Sequence, residues 1–224
     1  MAKVKSKWVC TECGYETAGY LGKCPECGAW GTLTEEVQFT ASKQAQDEFI
    51  NTEKPELLKD IHIGEEVRVS TNISEFDRIL GGGLVQGSLV LIAGDPGIGK
   101  STILLQTSGE LCKSNKKVLY ISAEESASQL KLRAERLSIN ADNLYIYPQT
   151  SMESIKAQIE AISPDIVVID SIQAVYSQNV ASSAGSVSQI RECTNLLMHI
   201  AKSKNVTIVV IGHVTKDGNI AGPK

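Results

Sequence analysis

The segment Gly94-Asp95-Pro96-Gly97-Ile98-Gly99-Lys100-Ser101 constrains this chain more than any other. Its spacing is G-x-x-x-x-G-K-[S/T], directly behind the apolar run Leu91-Ile92-Ala93 and directly ahead of an apolar, helix-compatible stretch. Such a loop works at the turn from a buried strand into a helix. There Gly97 and Gly99 let backbone N–H groups converge on phosphate oxygens, and the helix start adds the positive end of its dipole. Gly94 to Thr102 is therefore expected to cradle the phosphates of ATP, with the Lys100 ammonium between the β- and γ-phosphates and Ser101 on Mg2+.

The surrounding pattern agrees. Short β-branched runs, Glu66–Ser70, Ser88–Ala93, Lys117–Ser122, Leu144–Tyr147, Asp165–Asp170 and Val206–Gly212, read as strands. Several are apolar nearly throughout, as strands covered on both faces must be. Between them apolar residues recur at helical spacing: Ala127, Leu130, Ala134 and Leu137, then Met152, Ile155, Ile159 and Ile162, then Ile190, Cys193, Leu197 and Ile200. Alternating strands and helices predict an α/β fold around a mainly parallel sheet.

Three polar groups stand at strand ends, where an open parallel sheet binds its ligands. Asp170 closes Ile166-Val167-Val168-Ile169 and is placed to hold Mg2+ through water. Glu124 and Glu125 follow Val118–Ser122, and one of them is expected to hold a water in line with the γ-phosphate. Spacing does not separate the two, because both also suit the first turn of the next helix. His213, behind Val206–Gly212, is the candidate sensor of the γ-phosphate. Lys216 could face nucleotide, nucleic acid or a neighbouring subunit, His62 and His199 look incidental, and Ser177–Gln189 reads as a mobile loop at the functional edge, with Arg191 behind it.

Four of the six cysteines lie at the N-terminus as Cys10-x-x-Cys13, ten residues, Cys24-x-x-Cys27. Two knuckles, each followed by glycine, can present four thiolates tetrahedrally, which predicts structural Zn2+ with no open coordination position. Two redox Cys-x-x-Cys motifs or an iron–sulfur site are the competing readings. A stretch this short cannot fold on its apolar surface alone, so metal binding supplies its folding free energy, on the order of 10 kcal/mol. Trp8, Tyr15, Tyr20 and Trp30 are expected to form a miniature core beside the knuckles, and Cys112 and Cys193 to be buried small hydrophobes.

The expected organisation is a ribbon over residues 1–32, a polar linker over 33–60 and the main domain over 61–224. No apolar run reaches the ~18 residues of a membrane span, and the basic start leads into no apolar stretch, so a cytoplasmic protein is expected. A formal charge of -4 and 5% aromatics exclude nucleic-acid binding by whole-surface basicity or by a broad stacking platform.

Taken together, these residues resemble the RadA/Sms family of bacterial DNA-repair ATPases. The resemblance rests on the four-cysteine ribbon, Ser70-Thr71-Asn72 through Asp77 to Gly83, Gly94 to Thr102, Tyr120 to Ser126, Ile169 to Gln173, and Gly212-His213-Val214-Thr215-Lys216-Asp217-Gly218. It implies a RecA-like core that forms a homo-hexamer, hydrolyses ATP, binds single-stranded and branched DNA, and assists strand exchange and branch migration. It also selects Glu124 as the catalytic glutamate and makes the ribbon a docking module for a recombinase. Family members continue into further ATPase core, a Lys-Asn-Arg-Phe-Gly motif and a Lon-protease-like domain, so this chain is expected to be an N-terminal part. Two other readings remain beside the motor: a nucleotide-gated interaction module in which hydrolysis only resets contacts, and a zinc-dependent adaptor.

Overall fold

The computed structural model describes residues 5–38, 57, 60 and 68–213. The expected strand start at Glu66, most of the linker, His62 and Lys216 lie outside the described residues.

Three antiparallel strands, β1 (Lys5–Cys10), β2 (Glu16–Thr17) and β3 (Leu33–Gln38), form the ribbon's sheet in the order β2-β1-β3. Cys10 pairs with Leu33 and Lys5 with Gln38. Residues 33–38, expected to open the linker, thus belong to the ribbon's sheet. Their composition is too polar to announce a strand, and backbone hydrogen bonding to β1 overrides it.

A small hairpin follows, β4 (Arg68–Val69) against β5 (Leu84–Val85), with helix α1 (Ser74–Ile79) between them. Asp77 anchors this excursion: its carboxylate accepts from the Ser70 hydroxyl at 2.6 Å and from both the hydroxyl and the N–H of Thr71, at 2.6 and 2.8 Å.

The main sheet is built from β6 (Leu89–Gly94), β7 (Val118–Ser122), β8 (Leu144–Pro148), β9 (Ile166–Asp170) and β10 (Thr207–His213). All ladders are parallel, in the order β6-β10-β9-β7-β8. Helices α2 (Lys100–Lys113), α3 (Ala127–Arg136), α4 (Met152–Ile162) and α5 (Val187–Lys204) make the crossovers. Alternation along each strand divides the core. Val118, Tyr120, Ile166 and Val168 pack with Leu104, Leu105 and Leu130 of α2 and α3, while Leu119, Ile121, Val167 and Ile169 pack with Ile155, Ile159, Cys193 and Leu197 of α4 and α5. Each fully buried aliphatic side chain contributes about 1.5–3 kcal/mol. Strands β7 and β9 are buried at every position, which explains their unbroken apolar sequence, whereas β6 is only half covered at the sheet's edge.

Helix starts follow local chemistry. Ser126, Ser151 and Ser186 cap α3, α4 and α5 by accepting from the N–H groups of Gln129, Ser154 and Gln189. Helix α2 has no such cap: Gly99 precedes it in a left-handed conformation, and its first turn carries no acidic residue.

The stretch expected to be mobile is organised by one side chain. Ser186 to Gln189 begins α5, and Gln189, 1% exposed, donates to the carbonyls of Ser177, Val180 and Ser182 and accepts from the Ser177 N–H. A Ser-rich loop with no apolar pattern is held by an amide instead of a core. Glu153 assists from α4, accepting from the Ser177 hydroxyl and the Gln178 N–H at 2.9 Å each. Gln189→Leu should raise amide exchange of residues 177–182 by about fivefold for each lost ~1 kcal/mol hydrogen bond, read by hydrogen–deuterium exchange.

Candidate nucleotide site and metal centre

Parallel pairing brings the expected site residues to one end of the main sheet. His213 is in register with Gly94, and Ser122, two residues before Glu124, is in register with Asp170. The loop from Gly94 to Lys100 therefore opens beside the tips of β10, β9 and β7.

Gly97 and Gly99 adopt φ of 83° and 100°, a region that disfavours a side chain and turns consecutive N–H groups inward. Lys100 is 7% exposed, and its Nζ donates to the carbonyls of Gly94 and Asp95 at 2.7 and 2.8 Å. Its ammonium is thus kept inside the loop rather than in solvent. With uncapped first-turn N–H groups behind it, the loop has the donor set that phosphate oxygens require. Ser101 and Thr102 are half-buried on the first turn of α2.

Asp170 is 7% exposed at the tip of β9. Its Oδ2 accepts from the buried hydroxyl of Tyr120 at 2.6 Å. Burial, and then the neighbouring Asp170 charge, pushes the Tyr120 phenol well above its ordinary pKa, so it stays a donor. The pair Ser101 and Asp170 fits Mg2+ in donor chemistry: a hydroxyl and a carboxylate, hard oxygens both.

The glutamates separate clearly. Glu124 Oε1 accepts from the Ser171 hydroxyl at 2.5 Å and lies 3.3 Å from His213 Nε2. Burial works to raise the Glu124 pKa, but the hydrogen bonds from Ser171 and His213, and the charges of His213 and Lys100, outweigh it and leave the carboxyl below its usual value. Glu125 turns away and pairs with Arg133 of α3, while its backbone N–H donates to the Ser122 hydroxyl oxygen. Glu125→Gln is accordingly expected to cost no more than about 1 kcal/mol of stability, the scale of a partly exposed ion pair, in a denaturation experiment.

His213 Nδ1 and Gln173 Oε1 are buried without a protein partner among the described residues, and Gln173 Nε2 donates to the His213 carbonyl at 3.4 Å. Sequence reasoning missed Tyr120, Ser171 and Gln173. Ser171 and Gln173 sit directly behind Asp170, within the stretch Ile169 to Gln173 that carries the resemblance, and that adjacency is a signal that could have found them.

In the ribbon, Cys10, Cys13, Cys24 and Cys27 place their sulfurs within 4.8 Å of one another. Cys10 to Cys27 is 3.7 Å and Cys13 to Cys24 is 3.6 Å. A tetrahedral zinc–thiolate centre has sulfur–sulfur edges of about 3.8 Å, so the arrangement fits. Burial acts against the Cys10 thiolate, but the Thr32 hydroxyl and the N–H groups of Cys13 and Glu12 bring its pKa down to about 6. Cys13 goes the other way, pushed up to about 12 by burial and then by the neighbouring sulfurs of Cys27, Cys24 and Cys10. Four thiolates this close need a cation between them.

The aromatic expectation is met in part. Trp8 and Tyr15 pack on the knuckles with Leu33, but Tyr20 is 57% and Trp30 75% exposed. Tyr20 instead stacks edge-on against Trp8, and Lys23 lies over Trp30, contacts that need no burial. Cys112 and Cys193 are buried as expected.

Comparison with known proteins fits this geometry. The AAA domain family model matches residues 53–219, and the rubredoxin metal-binding domain model matches residues 8–35. The chain is 53% identical over its whole length to a protein named DNA repair protein RadA from Listeria monocytogenes and 53% identical to one of the same name from Bacillus subtilis, covering 50% of each. A third, from Chlamydia trachomatis, is 49% identical over 99% of this chain and 49% of its own length. The chain thus spans about half the length of the relatives it matches. Among the described residues, no helix is long and apolar enough to cross a membrane.

Proposed function

The chain belongs to the AAA domain family, and from that premise we propose that it is the ATP-hydrolysing portion of a cytoplasmic DNA repair and recombination ATPase acting on single-stranded and branched DNA. The observation that carries this reading is the convergence of an uncapped phosphate loop with Asp170, Glu124 and His213 at one end of the sheet. The relatives named for DNA repair support it.

In this reading Gly94 to Thr102 binds the phosphates of ATP, and Lys100 exchanges its carbonyl partners for the β- and γ-phosphates. Ser101 and Asp170 would hold Mg2+, which when bound would neutralise charge on the phosphates. Glu124 orients a water and accepts its proton on the carboxylate. Through its contact with Glu124, His213 senses loss of the γ-phosphate. Gln173, bonded to the His213 carbonyl, carries that change into the turn Ile172–Ala174 and toward the loop pinned by Gln189. Strand exchange and branch migration by a homo-hexamer, with the zinc ribbon engaging a recombinase, complete the proposal.

The test is ATP turnover by the intact protein with and without single-stranded DNA. Stimulation by DNA is expected. Turnover that ignores DNA removes the DNA-dependent part of the reading, and absence of turnover removes all of it. The Gln173–His213 link also favours a second reading, in which nucleotide binding gates subunit or recombinase contacts and hydrolysis only resets them. Branch migration that proceeds equally with a non-hydrolysable analogue would select that alternative.

A further inference from the structure

Tyr120 lies at the centre of the core, yet its chemistry is not that of a core residue. Of the six tyrosines in the chain it is the one that is fully buried, packed among Leu104, Leu105 and Val168. A phenylalanine would fill the same space without bringing in a hydroxyl that must find an acceptor. The acceptor is Asp170 Oδ2, at 2.6 Å.

The topology explains how the two meet. Tyr120 is in register with Val168, so its ring must reach two residues forward along the neighbouring strand, about 6–7 Å at the usual strand rise. A tyrosine hydroxyl has that reach, and the short residues of the same rung do not. The bond has a consequence for the carboxylate. With one oxygen held, rotation about the last side-chain torsion stops, and the second oxygen is presented in a single direction. Mg2+ demands near-ideal octahedral geometry at short distance, so a carboxylate that serves it directly or through water gains from fixed orientation.

We propose that Tyr120 is a positioning residue for magnesium at the nucleotide site, acting through the orientation of Asp170. The inference rests on the reading of Asp170 as the Mg2+-associated acid. It adds a residue from the interior of the sheet, remote in sequence from the phosphate loop.

The test is Tyr120→Phe in the intact protein, with binding of a fluorescent ATP analogue followed as Mg2+ is titrated. The Mg2+ concentration at half-maximal binding should rise about tenfold, the scale of losing a partner of a metal-associated group. In an Asp170→Asn background the same substitution should have no further effect on that midpoint, because the two residues act as one unit. A midpoint within twofold of wild type, even with a lowered melting temperature, leaves Tyr120 a structural residue and overturns the proposal. A measurement without substitution guards against a variant that fails to fold. In protein uniformly labelled with 3-fluorotyrosine, the resonance most shielded from a soluble paramagnetic agent among this chain's six tyrosines belongs to Tyr120, and it should shift when Mg2+ is added to the nucleotide-loaded protein. No shift is again contrary. Should wild type itself bind the analogue without regard to Mg2+, the function proposed above fails instead, and the two failures are told apart.

Discussion

Glu124→Gln should lower ATP turnover by about 10²–10⁴-fold while leaving nucleotide affinity near that of wild type, the range expected on losing a positioned general base. The substitution keeps the shape of the side chain and an oxygen able to accept from Ser171, so the tip of β7 stays in place. What it removes is the ability to take a proton. The sign of the pH dependence follows from the same contacts. Ser171 and His213 hold the Glu124 carboxyl below its ordinary value against the opposing effect of burial, so the base is ionised throughout the neutral range. Its contribution to turnover is present at neutral pH and lost only as pH falls through that lowered pKa. Lys100→Ala should behave differently, abolishing binding and turnover together, since the ammonium is the charge inside the phosphate loop. Measuring analogue binding beside single-turnover hydrolysis separates the two effects. Unchanged turnover in Glu124→Gln would remove this carboxylate from the mechanism, and weakened binding with normal turnover would make it a phosphate-site residue instead.

Much of the main sheet was legible in sequence because its signals are local. The strands of the core carry β-branched runs, and serine caps and a glycine loop punctuate the helices between them. Strand ends differ from expectation by about a residue, as boundaries usually do: the β6 ladder runs on to Gly94 because His213 pairs with it across the sheet. What sequence could not supply is the choice between neighbours. Glu124 and Glu125 share the same strand tip and the same helix start. Only the fold shows that Arg133 captures one and Ser171 with His213 the other. Tyr120 was hidden for a related reason. In an unbroken apolar strand it reads as packing, and its role is visible only once β7 is known to lie beside β9 in that register. The ribbon's third strand was missed because Leu33–Gln38 draws its stability from pairing with β1 rather than from its own side chains.

Cys24→Ser should release the bound metal and unfold residues 5–38, a loss on the order of 10 kcal/mol of metal-linked folding free energy. The ribbon has almost nothing else to hold it. Its buried apolar cluster consists of Leu33 with the cysteines themselves, edged by Trp8 and Tyr15. Cys24 is 1% exposed, and serine cannot replace a thiolate with its long, soft bond to the ion. The main sheet has its own core on both faces, so the same variant should bind nucleotide as wild type does. Metal content by elemental analysis and amide exchange across the ribbon read the first effect, and analogue binding reads the second. One zinc per wild-type chain and none in the variant is the expected result. A protein purified without metal, whose ribbon amides stay protected until a reductant is added, would mean instead that Cys10 and Cys13, or Cys24 and Cys27, cycle as dithiols. The sulfur spacings oppose that outcome. The two short contacts run between the knuckles, Cys10 to Cys27 and Cys13 to Cys24, as the edges of a tetrahedron do, whereas a redox motif brings together the sulfurs of one Cys-x-x-Cys. With four sulfurs around one point, an ion held there would have no coordination position left for substrate and would serve to hold the ribbon in shape.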